Sequence, residues 1–254
     1  MSAPVVVTVE MLVSLDGKTS GEMLETPRCV TYLSEYSRIK HEVLKPRTPV
    51  CMCGSNSIAW MIQCESPDNY PTPDREPGER ADFHADLDTF QLPTGNHYFA
   101  VVDPRGRLAW KQSTVYSESF PFYNGDRVVE VLVEDWVTDA FLAQLRRVNV
   151  PYIFAGKSAL DCRLAVDKLG ALFHTDRVEC HGGGTLNGSL LEQGVVDELS
   201  LVLAPVVSGD PAAVSLFSPF RTTTGGKLPM ADFDLSAVEK LADGALWLRY
   251  TRKA

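Results

Sequence analysis

An alternation running from Val128 to Val207 constrains this chain more than any other feature of it. Val128 to Val133, Tyr152 to Gly156, Arg177 to His181 and Leu199 to Val207 read as strands, short and rich in β-branched or apolar residues. Asp139 to Val148, Ala159 to Phe173 and Thr185 to Gln193 lie between them and repeat apolar residues at helical intervals. Strands joined through helices pair in parallel, because a two-residue turn can only reverse the chain. An α/β fold follows. Val5 to Val13, Pro49 to Cys53 and Tyr98 to Val102 add further strands, the first buried on both faces. Tyr32, Tyr36, Ile39 and Val43 mark one amphipathic helix, and Gly54-Ser55-Asn56-Ser57 opens another through Trp60. Phe233 to Val238 and Ala245 to Tyr250, joined through Asp243-Gly244, predict a closing antiparallel hairpin, which makes the sheet mixed.

No repeat and no Gly/Ser linker divides the chain, so a single domain over residues 1–254 is expected. One stretch breaks the pattern. Around 65–90, and most sharply from Glu65 to Asp88, eight acidic residues stand against two arginines, with four prolines and no apolar period. This reads as an irregular insertion of the lid or rim kind. A formal charge of −9 argues against nucleic acid and anionic membranes as partners. Apolar runs such as Leu199 to Val207 are half a bilayer span, and no signal-type segment opens the chain, so a cytoplasmic location is expected. The six cysteines read as free thiols, and Cys51-Met-Cys53 lacks the second half of a zinc site. No metal is expected. His41, His84, His97 and His174 show no ligand spacing and read as surface or loop residues.

The chemistry-bearing motif is Gly182-Gly183-Gly184-Thr185-Leu186-Asn187, placed between a strand and a helix. Backbone N–H groups and the positive helix end can hold a phosphate there; the other reading is a tight turn without a ligand. It is neither a Rossmann fingerprint, since Asn187 stands where the last glycine belongs, nor a Walker loop.

Ser14-Leu15-Asp16-Gly17-Lys18, Val102-Asp103-Pro104-Arg105-Gly106-Arg107-Leu108, the run from Gly182 to Leu199 and its sequel Ala204-Pro205-Val206-Val207-Ser208-Gly209 resemble the reductase domain of bacterial riboflavin biosynthesis. The resemblance implies a three-layer α/β/α, dihydrofolate-reductase-like fold, a homodimer, and NADPH-dependent reduction of a ribosylaminopyrimidine phosphate or another small C=O or C=N compound. Carried over by position, it implies cofactor contacts at Leu12, Ser57, Pro104, Gly183, Gly184, Thr185, Leu186, Asn187, Gly188 and Ser189. Asp16 would stand near the reacting end and Arg38 near a substrate phosphate. The zinc-deaminase signature of the bifunctional relatives does not occur in the chain. The family's usual glutamate before the glycines is replaced by His181, with Glu179 two residues earlier on the same strand face. His181 is therefore a candidate catalytic and substrate-binding residue, its other reading being a core histidine satisfied by Glu179. A homodimer could use the apolar strand Leu199 to Val207. Two alternatives stay open: a catalytically inactive NADP(H)-binding regulatory protein of the same fold, and a folate reductase, for which no clear carboxylate stands on the first helix.

Overall fold

The computed structural model describes residues 4–44, 48–62, 80–118, 120–219 and 227–253. They divide into two compact units: residues 1–48 with 175–254, and residues 49–174. The second unit is one uninterrupted stretch set between the two segments of the first. A boundary of that kind needs no linker composition.

In the first unit, β1 (Val6–Ser14) is flanked in parallel by β6 (Arg177–Cys180) and β7 (Glu198–Ala204). β9 (Leu246–Arg252) and β8 (Phe233–Lys240) continue it antiparallel, giving the order β6-β1-β7-β9-β8. Eight of the nine β1 residues are buried, as a strand with neighbours on both edges and cover on both faces requires. β7 lies inside the sheet between β1 and β9, so its apolar character serves its own sheet. It is not available as the dimer face expected of it. α1 (Cys29–Arg38) runs into a π-helical stretch, Ile39–Leu44, where the sequence predicts one helix through Val43. The buried Tyr32 and Ile39 pack with Leu12, Val202 and Trp247, while the Tyr36 hydroxyl donates to the Glu10 carbonyl at 3.3 Å. α5 (Gly184–Glu192) precedes β7.

The second unit is a parallel sheet in the order β5-β4-β3-β2, built from β2 (Val50–Gly54), β3 (Tyr98–Val102), β4 (Arg127–Leu132) and β5 (Tyr152–Phe154). α2 (Ser55–Ile62), α3 (Asp139–Arg147) and α4 (Cys162–Phe173) alternate with these strands. The Asp161 carboxylate accepts from Leu164 N–H at 2.8 Å, which starts α4 three residues later than the apolar period alone suggests. The five described cysteines are buried free thiols. Cys64 lies outside the described residues, as do 63–79 and the side chains of Trp60, His41 and Val43.

The described end of the acidic stretch is not a loose rim. Phe83 exchanges backbone hydrogen bonds with Tyr152 at 2.8 and 2.9 Å, capping the open edge of β5. Arg80 pairs with Asp139 at 2.7 Å, Asp82 accepts from Lys168 at 2.7 Å and from Phe154 N–H at 2.8 Å, and Asp86 pairs with the buried Arg127. Its polar residues bond instead of packing, which is why residues 80–88 show no apolar period.

Asp103-Pro104-Arg105-Gly106-Arg107 turns the chain after β3. The buried Asp103 carboxylate accepts from Arg107 N–H and from Leu108 N–H at 3.0 Å, and the Arg107 guanidinium bonds Ser55 Oγ at 2.8 Å and Asn56 Oδ1 at 2.9 Å. Gly106 sits at φ +62°, and a Cβ there would stand 2.6 Å from the Phe141 ring. Gly95, at φ +85°, has nothing within 4 Å of the equivalent position. Left-handed backbone costs an L-residue about 1–2 kcal/mol, so Gly95→Ala should lose about that much in urea unfolding. Gly106→Ala should lose clearly more, because the ring contact adds to the strain, and equal losses would refute the packing account.

Candidate functional site

The glycine run opens where β6 ends. Gly182, at φ +80°, takes a conformation a side chain resists, and a cis peptide bond joins it to Gly183. Gly183 is the N-cap of α5 and no side chain caps the helix, so its first N–H groups are left to other acceptors. Gly183 and Thr185 are half-buried, whereas Gly184 and Leu186 to Ser189 are buried.

The buried glycines serve the chain itself. A Cβ on Gly184 would lie 2.1 Å from the Ser215 carbonyl oxygen, and one on Gly188 would lie 2.0 Å from that of Ser218. Segment 213–218 thus lies directly against α5. Ser218 N–H donates to the Gly184 carbonyl at 2.9 Å, and Asn187 Nδ2 donates to the Leu216 carbonyl at 2.8 Å. Ser189 Oγ bonds the Thr185 carbonyl at 3.0 Å. Of the expected contacts from Gly183 to Ser189, the side chains of Asn187 and Ser189 are engaged internally and Gly184 and Gly188 are packing glycines. Gly183 and Thr185 remain reachable.

Asp16 joins two loops. It accepts from Ser14 Oγ at 2.6 Å, from Ser208 N–H at 2.9 Å and from Gly209 N–H at 2.9 Å. The Ser14 hydroxyl first, then the two backbone donors, lower its pKa to about 2. Through these three bonds it orders the loop. Arg38 is partly exposed and pairs with Glu35 at 3.0 Å and Glu42 at 3.8 Å on its own helical segment. Leu12 packs in the first unit's core, and Ser57 and Pro104 are half-buried in the second unit. A cleft of about 510 Å³ in the second unit is bordered by Arg80, Asp82, Glu134, Phe154, Lys157 and Lys168; Asp139 and Asp82 already pair with Arg80 and Lys168.

His181 turns inward. Its side chain is 1% exposed and its Nε2 lies 3.5 Å from Glu179 Oε2, itself 2% exposed. The expectation that the imidazole meets a substrate directly is corrected, since the ring occupies the core beside Glu179. Sequence reasoning missed what surrounds it. Glu10 and Lys40 are fully buried, and burial drives the Glu10 pKa well above the ordinary range, with Glu179 adding repulsion; Ser200 and Lys40 oppose the shift. A lone glutamate in the apolar run Val5 to Val13 was the available signal.

Comparison with known proteins places these observations. No curated protein sequence matches the chain. The fold is shared with solved structures: a pyrimidine reductase-like protein from Corynebacterium diphtheriae (TM-score 0.62, 17% identity, 98% of this chain and 92% of that one) and the riboflavin biosynthesis reductase Rib7 of Saccharomyces cerevisiae (0.58, 13%, 100% and 92%). It is shared too with a diaminohydroxyphosphoribosylaminopyrimidine deaminase/5-amino-6-(5-phosphoribosylamino)uracil reductase from Thermotoga maritima (0.53, 14%, 98% and 57%). The chain spans little more than half of that last protein. The pattern of the RibD C-terminal domain matches residues 97–246, and the chain belongs to that family. It is an α/β protein of the reductase class.

Because burial raises the pKa of Glu10 in the folded chain above its unfolded value, its contribution to stability falls as pH rises above the ordinary carboxylate range. Glu10→Gln should therefore flatten the pH dependence of urea unfolding above about pH 5, and at high pH remain within about 1 kcal/mol of the parent or exceed it. A variant that loses stability equally at both ends would mean that the carboxylate form is the one the core requires.

Proposed function

We propose that this chain is an NADPH-dependent reductase of a small molecule, with a ribosylaminopyrimidine phosphate, or a related C=O or C=N compound, as substrate. The uncapped start of α5 directly after Gly182-Gly183, in a member of the RibD C-terminal family, carries the reading. The N–H groups at that helix end, with the positive end of its dipole, suit a phosphate, and Gly183 and Thr185 are the residues of the run that reach the surface. Leu12, in the same unit, is a further proposed cofactor contact. When bound, NADPH supplies a hydride for an electrophilic carbon.

The protein's own part is positioning. Asp16 ties the 14–18 turn to Ser208 and Gly209, so the loop beside segment 213–218 keeps one shape. Lys18 strengthens this by donating from Nζ to the Ala213 carbonyl at 3.0 Å. Glu179 lies beside the buried His181 ring, and His181 is a positioning residue for the glycine run that follows it in this reading. With both Asp16 and His181 engaged by the chain, a second reading has support: binding of NADP(H) without turnover, as a regulatory protein. We also propose a homodimer, with β8 as the face available, since it is the outer strand and exposes Leu235 and Val238. No helix among the described residues is long and apolar enough to cross a membrane, and we propose a cytoplasmic location.

Thr185→Glu tests the site without disturbing the packing glycines. An acidic side chain in the first turn of a helix stabilises it by about 0.3–1 kcal/mol, yet it places a negative charge where the phosphate should sit. NADPH affinity measured by calorimetry should fall about tenfold or more, while the thermal midpoint holds or rises. Unchanged affinity in the folded variant refutes the phosphate site. Loss of nicotinamide absorbance with a ribosylaminopyrimidine phosphate separates the enzyme from the regulatory reading, which requires binding and no consumption across a panel of substrates.

A further inference from the structure

The strands of the second unit begin at a place that the glycine run does not explain. β2, β3 and β4 pair in register through Cys51, Phe99 and Val128, so these three side chains share one face of the sheet. Two residues before Phe99 and Val128, at the same parity, stand His97 and Asp126. The three groups are 0%, 1% and 0% exposed for Cys51, His97 and Asp126, so His97, expected at the surface or in a loop, lies in the loop before β3 but is buried there.

Cys51 Sγ, an imidazole nitrogen of His97 and a carboxylate oxygen of Asp126 all lie within 4.8 Å of one another. The His97 Nδ1 to Asp126 Oδ2 separation is 3.9 Å, longer than a hydrogen bond between those two atoms. It is within about half an ångström of the N-to-O edge of a tetrahedron around a zinc ion, roughly 3.3–3.5 Å for bonds of about 2.0–2.2 Å. The carboxylate is aimed in advance: Asp126 Oδ1 accepts from Asn96 Nδ2 at 3.0 Å and from His97 N–H at 2.9 Å, which turns Oδ2 toward the ring. Only a shift of about an ångström would bring the sulfur in.

We propose that Cys51, His97 and Asp126 form a binding site for a divalent transition-metal ion of the zinc type, joining the beginnings of three parallel strands. A thiolate, an imidazole and a carboxylate form a mixed soft and borderline donor set, which favours zinc over magnesium or calcium; those take oxygen ligands. Binding displaces the thiol proton and leaves one position of the tetrahedron for a fourth donor. The site stands in the second unit and does not depend on the proposed reductase activity. Cys53, the other thiol of Cys51-Met-Cys53, lies on the same strand face but outside the cluster, so the partners of Cys51 come from the residues just before β3 and β4 and not from its own motif.

The full chain, stripped of metal by chelator under reducing conditions, is titrated with Co²⁺ as a spectroscopic probe and then with Zn²⁺. The proposal expects one equivalent of Co²⁺ with a thiolate charge-transfer band in the near ultraviolet and tetrahedral bands in the visible. Zn²⁺ should bleach both and raise the thermal midpoint. Cys51→Ser should lose the charge-transfer band and bind at least about 100-fold more weakly, whereas Cys53→Ser should keep the band. Absence of the charge-transfer band from the parent chain overturns the proposal, even if Cys51→Ser fails to fold. A band retained by Cys51→Ser overturns it too, since the sulfur would then come from another cysteine.

Discussion

The contact that the candidate site depends on is the direct approach of segment 213–218 to α5. Two carbonyl oxygens, of Ser215 and Ser218, occupy the space that side chains at 184 and 188 would take. Backbone can approach a helix this closely only where the helix carries no Cβ, so the four-residue spacing of Gly184 and Gly188, one helical turn, is a packing requirement. The same approach organises its surroundings. It brings Leu216 to Asn187 and Gly17, and Ala213 and Val214 to Lys18 and Thr19. Asp16 adds the charge-assisted bonds to Ser208 and Gly209. A glycine-rich junction thus has two uses in one motif: Gly184 and Gly188 hold the chain, and Gly183 leaves the helix end open.

A second constraint is polar. Glu10 in the first unit and Glu130 in the second are both fully buried on interior strands, and burial raises both pKa values well above the usual range. Each has a neighbour that favours the carboxylate and so opposes the shift: Ser200 and Lys40 for Glu10, the Trp110 indole N–H for Glu130. Buried groups of this kind are costly when their surroundings fail to satisfy them. Ser200 is tied in turn by the Trp247 N–H at 2.7 Å, so the polarity of β1 reaches β7 and β9 through hydrogen bonds as well as through the sheet ladder.

The strands were legible because periodicity and β-branching act locally, and Val128 to Val207 declared both the parallel pairing and the glycine junction. What escaped the sequence depends on partners far along the chain. The absence of an apolar period in residues 80–88 suggested a rim, yet Asp82, Phe83 and Asp86 meet Lys168, Tyr152 and Arg127. Cys51 invited comparison with Cys53, two residues away, while the groups near it in space are His97 and Asp126. The start of α4 was misjudged for a local reason: Asp161 caps it, and a capping side chain outweighs the apolar spacing of Ala159 and Leu160.

The roles of Asp16, Arg38 and His181 show why catalytic residues are harder to read than folds. All three positions come from the family resemblance, and position says where a Cα lies, not what its side chain already bonds. Asp16 is taken by two backbone N–H groups, Arg38 by Glu35 and Glu42, and His181 faces Glu179 inside the core. A reaction whose hydride comes from a cofactor places few demands on acidic or basic side chains and many on alignment. Alignment is served by glycines that permit contact and by loop ties such as Asp16. In such a protein the side chains that look most reactive in the sequence are the ones most often occupied in building the site.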